Sequence, residues 1–209
     1  MLISYAHSLV LFAVPKTGST ALEYALAPSC DLRLTGAPSR RHTTMLAYES
    51  RLEPRVRALC PDEPELVAVV REPLDWLGSW YRYRARPGMR APQNSTRGMS
   101  FDAFIAGYLS DTPPQPARLG TQSDLLARKD GTCGATMLFP YERFAEAAAY
   151  LRRRLGAEAE PKAVNVSPTA ELSLSPELET RLRAERAADV ALHQQAVAGW
   201  DALAARIGA

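Results

Sequence analysis

Two short segments of this chain carry residue types that suit anions. The first is Pro15-Lys16-Thr17-Gly18-Ser19-Thr20, placed between the apolar run SLVLFAV at 8–14 and a helix-like stretch at 21–27. Gly18 lets the backbone turn tightly and approach a ligand. The free N–H groups and dipole of a helix start favour negative charge. Thr17, Ser19 and Thr20 add hydroxyl donors, and Lys16 adds a full charge. Lysine is rare here: of 25 basic residues only Lys16, Lys129 and Lys162 are lysines, the rest being arginine. A compact ammonium suits a single oxygen where a forked guanidinium does not. The second segment is Arg71-Glu72-Pro73-Leu74-Asp75-Trp76-Leu77-Gly78-Ser79. Arg71 falls at the end of the apolar run ELVAVV at 65–70, the sheet edge where open α/β folds bind ligands. Ser79 follows on a helix whose face it shares with Asp75. Alone, the first segment fits an ordinary strand–helix turn that needs a glycine and a Ser/Thr cap, and the second a surface arginine with a solvent-facing serine. Two such junctions in one chain imply a ligand with two separated anionic groups. A Walker loop is excluded because Lys16 precedes Gly18 and no glycine lies upstream, and G-x-G-x-x-G is absent.

The elements that must position these residues read as alternating strands and helices. Buried strands are expected at 8–14, 65–70 and 135–140, with a short strand at 31–34. Helices are expected at 21–27, 43–59, 74–84, 101–108 (capped by Ser100) and 141–155 (ended by Gly156), and from Ser175-Pro176 onward. Residues 86–97 and 111–120 read as loops. Trp76, Trp80 and Tyr83 repeat at helical spacing, which predicts a core-facing stripe. The pattern gives an α/β fold with a central parallel sheet flanked by helices. The length of 209 residues fits a single domain over 1–209.

Composition narrows the class. Hydrophobic residues are 46%, charged residues 23% and the net charge is +2. That is a globular chain, with no bulk charge for nucleic acid. Cys30, Cys60 and Cys133 form no metal or disulfide pattern, so reduced thiols, no metal and a cytoplasmic setting are expected. No apolar run approaches membrane length, and neither a basic start nor a cleavage site marks a signal peptide.

The paired segments resemble the sulfotransferases that use 3′-phosphoadenosine 5′-phosphosulfate (PAPS). Residues 15–20 are similar to that family's 5′-phosphosulfate loop. Arg71 with Ser79 eight residues later is similar to its 3′-phosphate site. Tyr141-Glu142-Arg143-Phe144 and Asn165-Val166-Ser167 resemble later parts of bacterial and carbohydrate-type members. The Arg-Lys-Gly segment of cytosolic small-molecule members has no counterpart, which points to that branch. The resemblance implies a P-loop-like three-layer fold. It places Lys16, Thr17, Gly18, Ser19 and Thr20 on the 5′ end of PAPS, and Arg71 and Ser79 on its 3′-phosphate. It makes Lys16 and His42 catalytic, with sulfuryl passing to a hydroxyl acceptor, carbohydrate among the classes implied.

Of three histidines, His42 lies between the two segments and titrates in the range a general base needs. A solvated histidine beside Arg40 and Arg41 is its plain alternative, and Glu49 is a rival base. Gln122 and Ser123 are candidates to line the acceptor site, and Arg40 and Arg41 to meet an anionic acceptor. The Ala- and Arg-rich segment at 176–205 fits packing on the sheet or the face of a homo-oligomer. Two other functions fit the residues: an atypical P-loop nucleotide kinase using ATP with Mg²⁺, and a catalytically silent nucleotide-binding relative.

Overall fold

The first strands form a hairpin. β1 (Leu2–Ser4) turns back through residues 5–8 into β2 (Leu9–Leu11), pairing Leu2 with Leu11 and Ser4 with Leu9. The Ser8 N–H donates to the Tyr5 carbonyl at 3.0 Å, and Ser8 takes φ +47° to close the turn. A link this short can join only antiparallel strands. The computed structural model describes residues 1–87, 91–161 and 172–208.

After β2 come α1 (Ser19–Leu26) and the short β3 (Leu32–Arg33), which pairs antiparallel with β1. Helices α2 (Pro38–Arg41), α3 (Met45–Arg51) and α4 (Glu53–Leu59) lead to β4 (Glu65–Val70). The helical run expected at 43–59 breaks at Leu52, which ends α3 and opens α4. Pro54 explains the break, because it has no N–H for a continuous helix. Next come α5 (Pro73–Arg84), α6 (Phe101–Tyr108), α7 (Gln122–Leu126), β5 (Met137–Pro140) and α8 (Phe144–Leu155). Three helices close the chain: α9 (Pro176–Glu185), α10 (Ala187–Ala198) and α11 (Trp200–Ile207). Ser100 caps α6 through the Ala103 N–H at 3.1 Å, and Gly156 ends α8 with φ +61°.

The sheet order is β3-β1-β2-β4-β5. Only β2, β4 and β5 run parallel; β1 is antiparallel to both its neighbours. The expectation of a parallel sheet is therefore corrected to a mixed one. The missed strand is β1, whose hairpin partner hid it in one apolar N-terminal stretch. Alternate strand residues bury into two cores. Val10, Leu66, Ala68, Val70 and Leu138 pack with α3, α4, α7 and α10. Leu9, Leu11, Val67, Val69, Met137 and Phe139 pack with α1, α8 and α11. Both faces of β4 are thus covered, and its last five residues are all buried. At roughly 1.5–3 kcal/mol per large apolar side chain, this strand is a firm base for the residue that follows it, Arg71.

Candidate anion-binding site

The loop after β2 is shaped by three unlike constraints. Lys16 holds φ +65°, a left-handed conformation that costs a side-chain-bearing residue roughly 1–2 kcal/mol. Thr17 is buried and donates its hydroxyl to the Val14 carbonyl at 3.0 Å, so it braces the turn. Gly18 has φ +76°, and a Cβ there would lie 2.3 Å from the Phe144 ring. Only glycine satisfies both conditions. The Ala21 and Leu22 N–H groups close on the Gly18 carbonyl. The N–H groups of Ser19 and Thr20 therefore lie ahead of the helical ladder, where an anion is favoured.

The Lys16 ammonium lies 4.2 Å from the Tyr83 ring centre and 5.9 Å from that of Trp80. Its pKa is lowered from 10.5 to about 8, first by burial and then by Arg86, Arg71 and Arg82. An arriving anion reverses the charge part of that shift. The aromatic stripe of α5 differs from the expectation. Trp76 is in the core, but Tyr83 is exposed. Trp76, Trp80 and Tyr83 form an edge-to-face series, with ring centres 6.1 and 5.8 Å apart. Trp76 at the buried end donates its indole N–H to the Pro15 carbonyl at 2.8 Å. The stripe thus begins as core and ends as a wall beside Lys16, because α5 runs along the loop.

Arg71 stands at the end of the adjacent parallel strand, β4. Its Nη1 donates to the Lys16 carbonyl at 3.1 Å and its Nε to Asp75 Oδ2 at 2.5 Å. Its guanidinium lies 4.2 Å from the Tyr141 ring centre. Helix α5 begins at once, with Pro73 in its first turn and Glu72 accepting the Asp75 N–H at 2.8 Å. Ser79 is on this helix and buried, 8% exposed. No hydrogen bond among the described residues joins Ser79 to Arg71. Arg82, one turn further, brings Nη2 to 3.8 Å from Asp75 Oδ1.

The third parallel strand end, after β5, supports both halves. Tyr141 faces Arg71, and Phe144 fills the space opposite Gly18. The sequence flagged residues 141–144 only as a resemblance; their place after a buried strand was the available signal. Gln122 was expected beside an acceptor. It is 1% exposed and bonds the Arg71 backbone instead, at 2.9 and 2.8 Å. A pocket lined by Met1, Phe12, Thr17, Ser19 and Glu23 adjoins the loop, and Lys16 is not among its lining residues.

His42 follows α2, and its Nδ1 is 2.5 Å from the Ala13 carbonyl, two residues before Pro15. A carbonyl only accepts, so Nδ1 carries the proton and Nε2 holds the lone pair. Burial lowers the His42 pKa below 6.5, the Ala13 bond opposing it. The ring is therefore neutral near pH 7. Glu49 is paired with Arg128 at 2.7 Å. Arg41 reaches Thr20 Oγ1 at 3.0 Å and the buried Glu23, which also holds Arg33. It is thus an internal strut, while Arg40 is exposed.

Asn165, Val166 and Ser167 lie outside the described residues. Among the described residues no group of three or more His, Cys, Asp or Glu side chains is placed to hold a metal, and no helix is long and apolar enough to cross a membrane. Compared with family models, curated proteins and solved structures, the chain matches none.

Proposed function

We propose that this protein is a PAPS-dependent sulfotransferase with a P-loop-like three-layer fold. The observation that carries the reading is the junction of Lys16 and Arg71. Two basic residues follow neighbouring parallel strands, Lys16 in the loop after β2 and Arg71 directly after β4, and one bonds the backbone of the other. Burial first, and then the charges of Arg86, Arg71 and Arg82, lower the Lys16 pKa, so the three arginines lie near its ammonium. That donor set fits a ligand with phosphate at each end of a nucleoside. Arg71 and Ser79 hold the 3′-phosphate. Lys16 and the N–H groups opening α1 hold the 5′ end. The three free thiols fit a cytoplasmic setting.

When bound, PAPS supplies an activated sulfuryl group: a hydroxyl oxygen of the acceptor bonds to sulfur as the bond to the 5′-phosphate oxygen breaks. The products are a sulfate ester and adenosine 3′,5′-bisphosphate. His42 Nε2 takes the acceptor proton. Lys16 and the α1 N–H groups stabilise the charge left on the 5′-phosphate, where prearranged donors contribute most. Calorimetric titration tests the reading. Adenosine 3′,5′-bisphosphate is expected to bind without metal, and more tightly than ATP with Mg²⁺. Binding of ATP with Mg²⁺ alone would favour a kinase, and binding of neither would remove the nucleotide reading.

A further inference from the structure

Arg71 is held through its backbone as well as through its guanidinium. The Arg71 N–H donates to Gln122 Oε1 at 2.9 Å, and Gln122 Nε2 donates to the Arg71 carbonyl at 2.8 Å. One amide side chain thus satisfies both backbone groups of one residue, 51 positions away in sequence. Gln122 opens α7 and is 1% exposed. Asp189 of α10, 2% exposed, accepts the Gln122 N–H at 3.3 Å and the Ser123 N–H at 2.7 Å. Thr121 completes the turn by accepting the Asp124 N–H at 3.0 Å. A buried carboxylate is costly unless hydrogen-bonded, so the two N–H groups and Asp189 fix each other. Sheet pairing ends at Val70 with Pro140. Arg71 is the first residue beyond the ladder, and the Gln122 side chain takes over where a neighbouring strand would continue.

We propose that Gln122 and Asp189 are positioning residues for the phosphate-binding Arg71: Gln122 clamps its backbone, and Asp189 holds the helix that carries Gln122. The ligand-facing half of this proposal rests on the sulfotransferase reading; the clamp does not. Angular error at the backbone grows along a long arginine side chain, so a loosened clamp weakens phosphate binding without removing any charge. The test uses the full-length protein and three variants: Gln122→Ala, Gln122→Glu and Asp189→Asn. Hydrogen exchange in the free protein reads the clamp directly. Gln122→Ala is expected to speed exchange of the Arg71 amide at least tenfold, with exchange in the middle of β4 unchanged. Gln122→Glu keeps an acceptor for the Arg71 N–H but sets a buried carboxylate oxygen against the Arg71 carbonyl, so it is expected to speed exchange at least as much as Gln122→Ala. Calorimetry then compares adenosine 3′,5′-bisphosphate with adenosine 5′-phosphate. The expected result is about a tenfold loss for the bisphosphate in Gln122→Ala, a smaller loss in Asp189→Asn, and less than twofold for the monophosphate. Unchanged Arg71 exchange, or equal loss for both nucleotides, would overturn the proposal. A wild type that binds neither nucleotide would overturn the function and the ligand-facing half, while the exchange result still decides the clamp.

Discussion

The two strand-end junctions solve the same problem by different means. At the end of β2 the backbone itself is bent into place. Lys16 sits at φ +65°, Gly18 at φ +76° against Phe144, and the ammonium is walled by Tyr83 and Trp80. At the end of β4 the backbone is unstrained and the holding is polar. Gln122 bonds the Arg71 main chain, Asp75 and the Lys16 carbonyl fix its guanidinium, and Tyr141 covers it. The first arrangement suits a charge that must meet one atom, and it depends on few substitutable parts. The second shares its load among several side chains, so single losses there cost less. Strain kept at the first junction and not at the second fits the role proposed for it.

The largest expected effect is at Lys16. Lys16→Ala should reduce sulfuryl transfer by roughly 10²–10³-fold, the usual cost of removing a donor to developing charge. Steady-state turnover with PAPS checks this, and wild-type turnover would end the proposed role. Gly18→Ala should destabilise the fold by about 3 kcal/mol, because a Cβ meets both positive φ and the Phe144 ring. Urea unfolding measures it; unchanged stability would show that the loop relaxes freely.

The pH response also separates the junctions. Between the second phosphate pKa, about 6, and the Lys16 value, about 8, the phosphate is dianionic and Lys16 is charged with or without ligand, so affinity for a 5′-phosphate is nearly level there. Above about 8 the free protein loses the Lys16 proton that the complex keeps. Affinity should then fall by up to roughly tenfold per pH unit, while that of adenosine 3′-phosphate stays level. At the acid end, turnover should persist below pH 6.5 and be lost only as pH falls through the lowered His42 value. An acid limb above 6.5 would place the base elsewhere. The smallest effect is Tyr141→Leu, which removes one cation–aromatic contact and should weaken 3′-phosphate binding roughly two- to fivefold. A loss as large as that of Arg71→Ala would mean that Tyr141 alone sets the arginine.

What the sequence disclosed follows from how local each cause is. β4 was legible because both of its faces are buried, which leaves an unbroken apolar run. The start of α5 was legible from Pro73, and the two strand–helix junctions from residues adjacent in sequence. β1 was not, because the few residues between two strands reverse the chain without a glycine or proline, and Ser8 takes the positive φ. The double role of the α5 stripe was hidden because periodicity reports a shared face, not what covers it along its length. Gln122 and Tyr141 were misplaced or unassigned because their partner, Arg71, lies 51 and 70 positions away. Such pairings are set by the order of the strands.

The central claim is that two separate phosphate groups meet two separate junctions. It is tested most directly by measuring the affinities of adenosine 5′-phosphate and adenosine 3′-phosphate for wild type, Lys16→Ala and Arg71→Ala. The account predicts a crossover: Lys16→Ala weakens the 5′-phosphate and spares the 3′-phosphate, and Arg71→Ala does the reverse. Equal loss of both ligands in both variants would contradict it, because the two residues would then serve one undivided anion site.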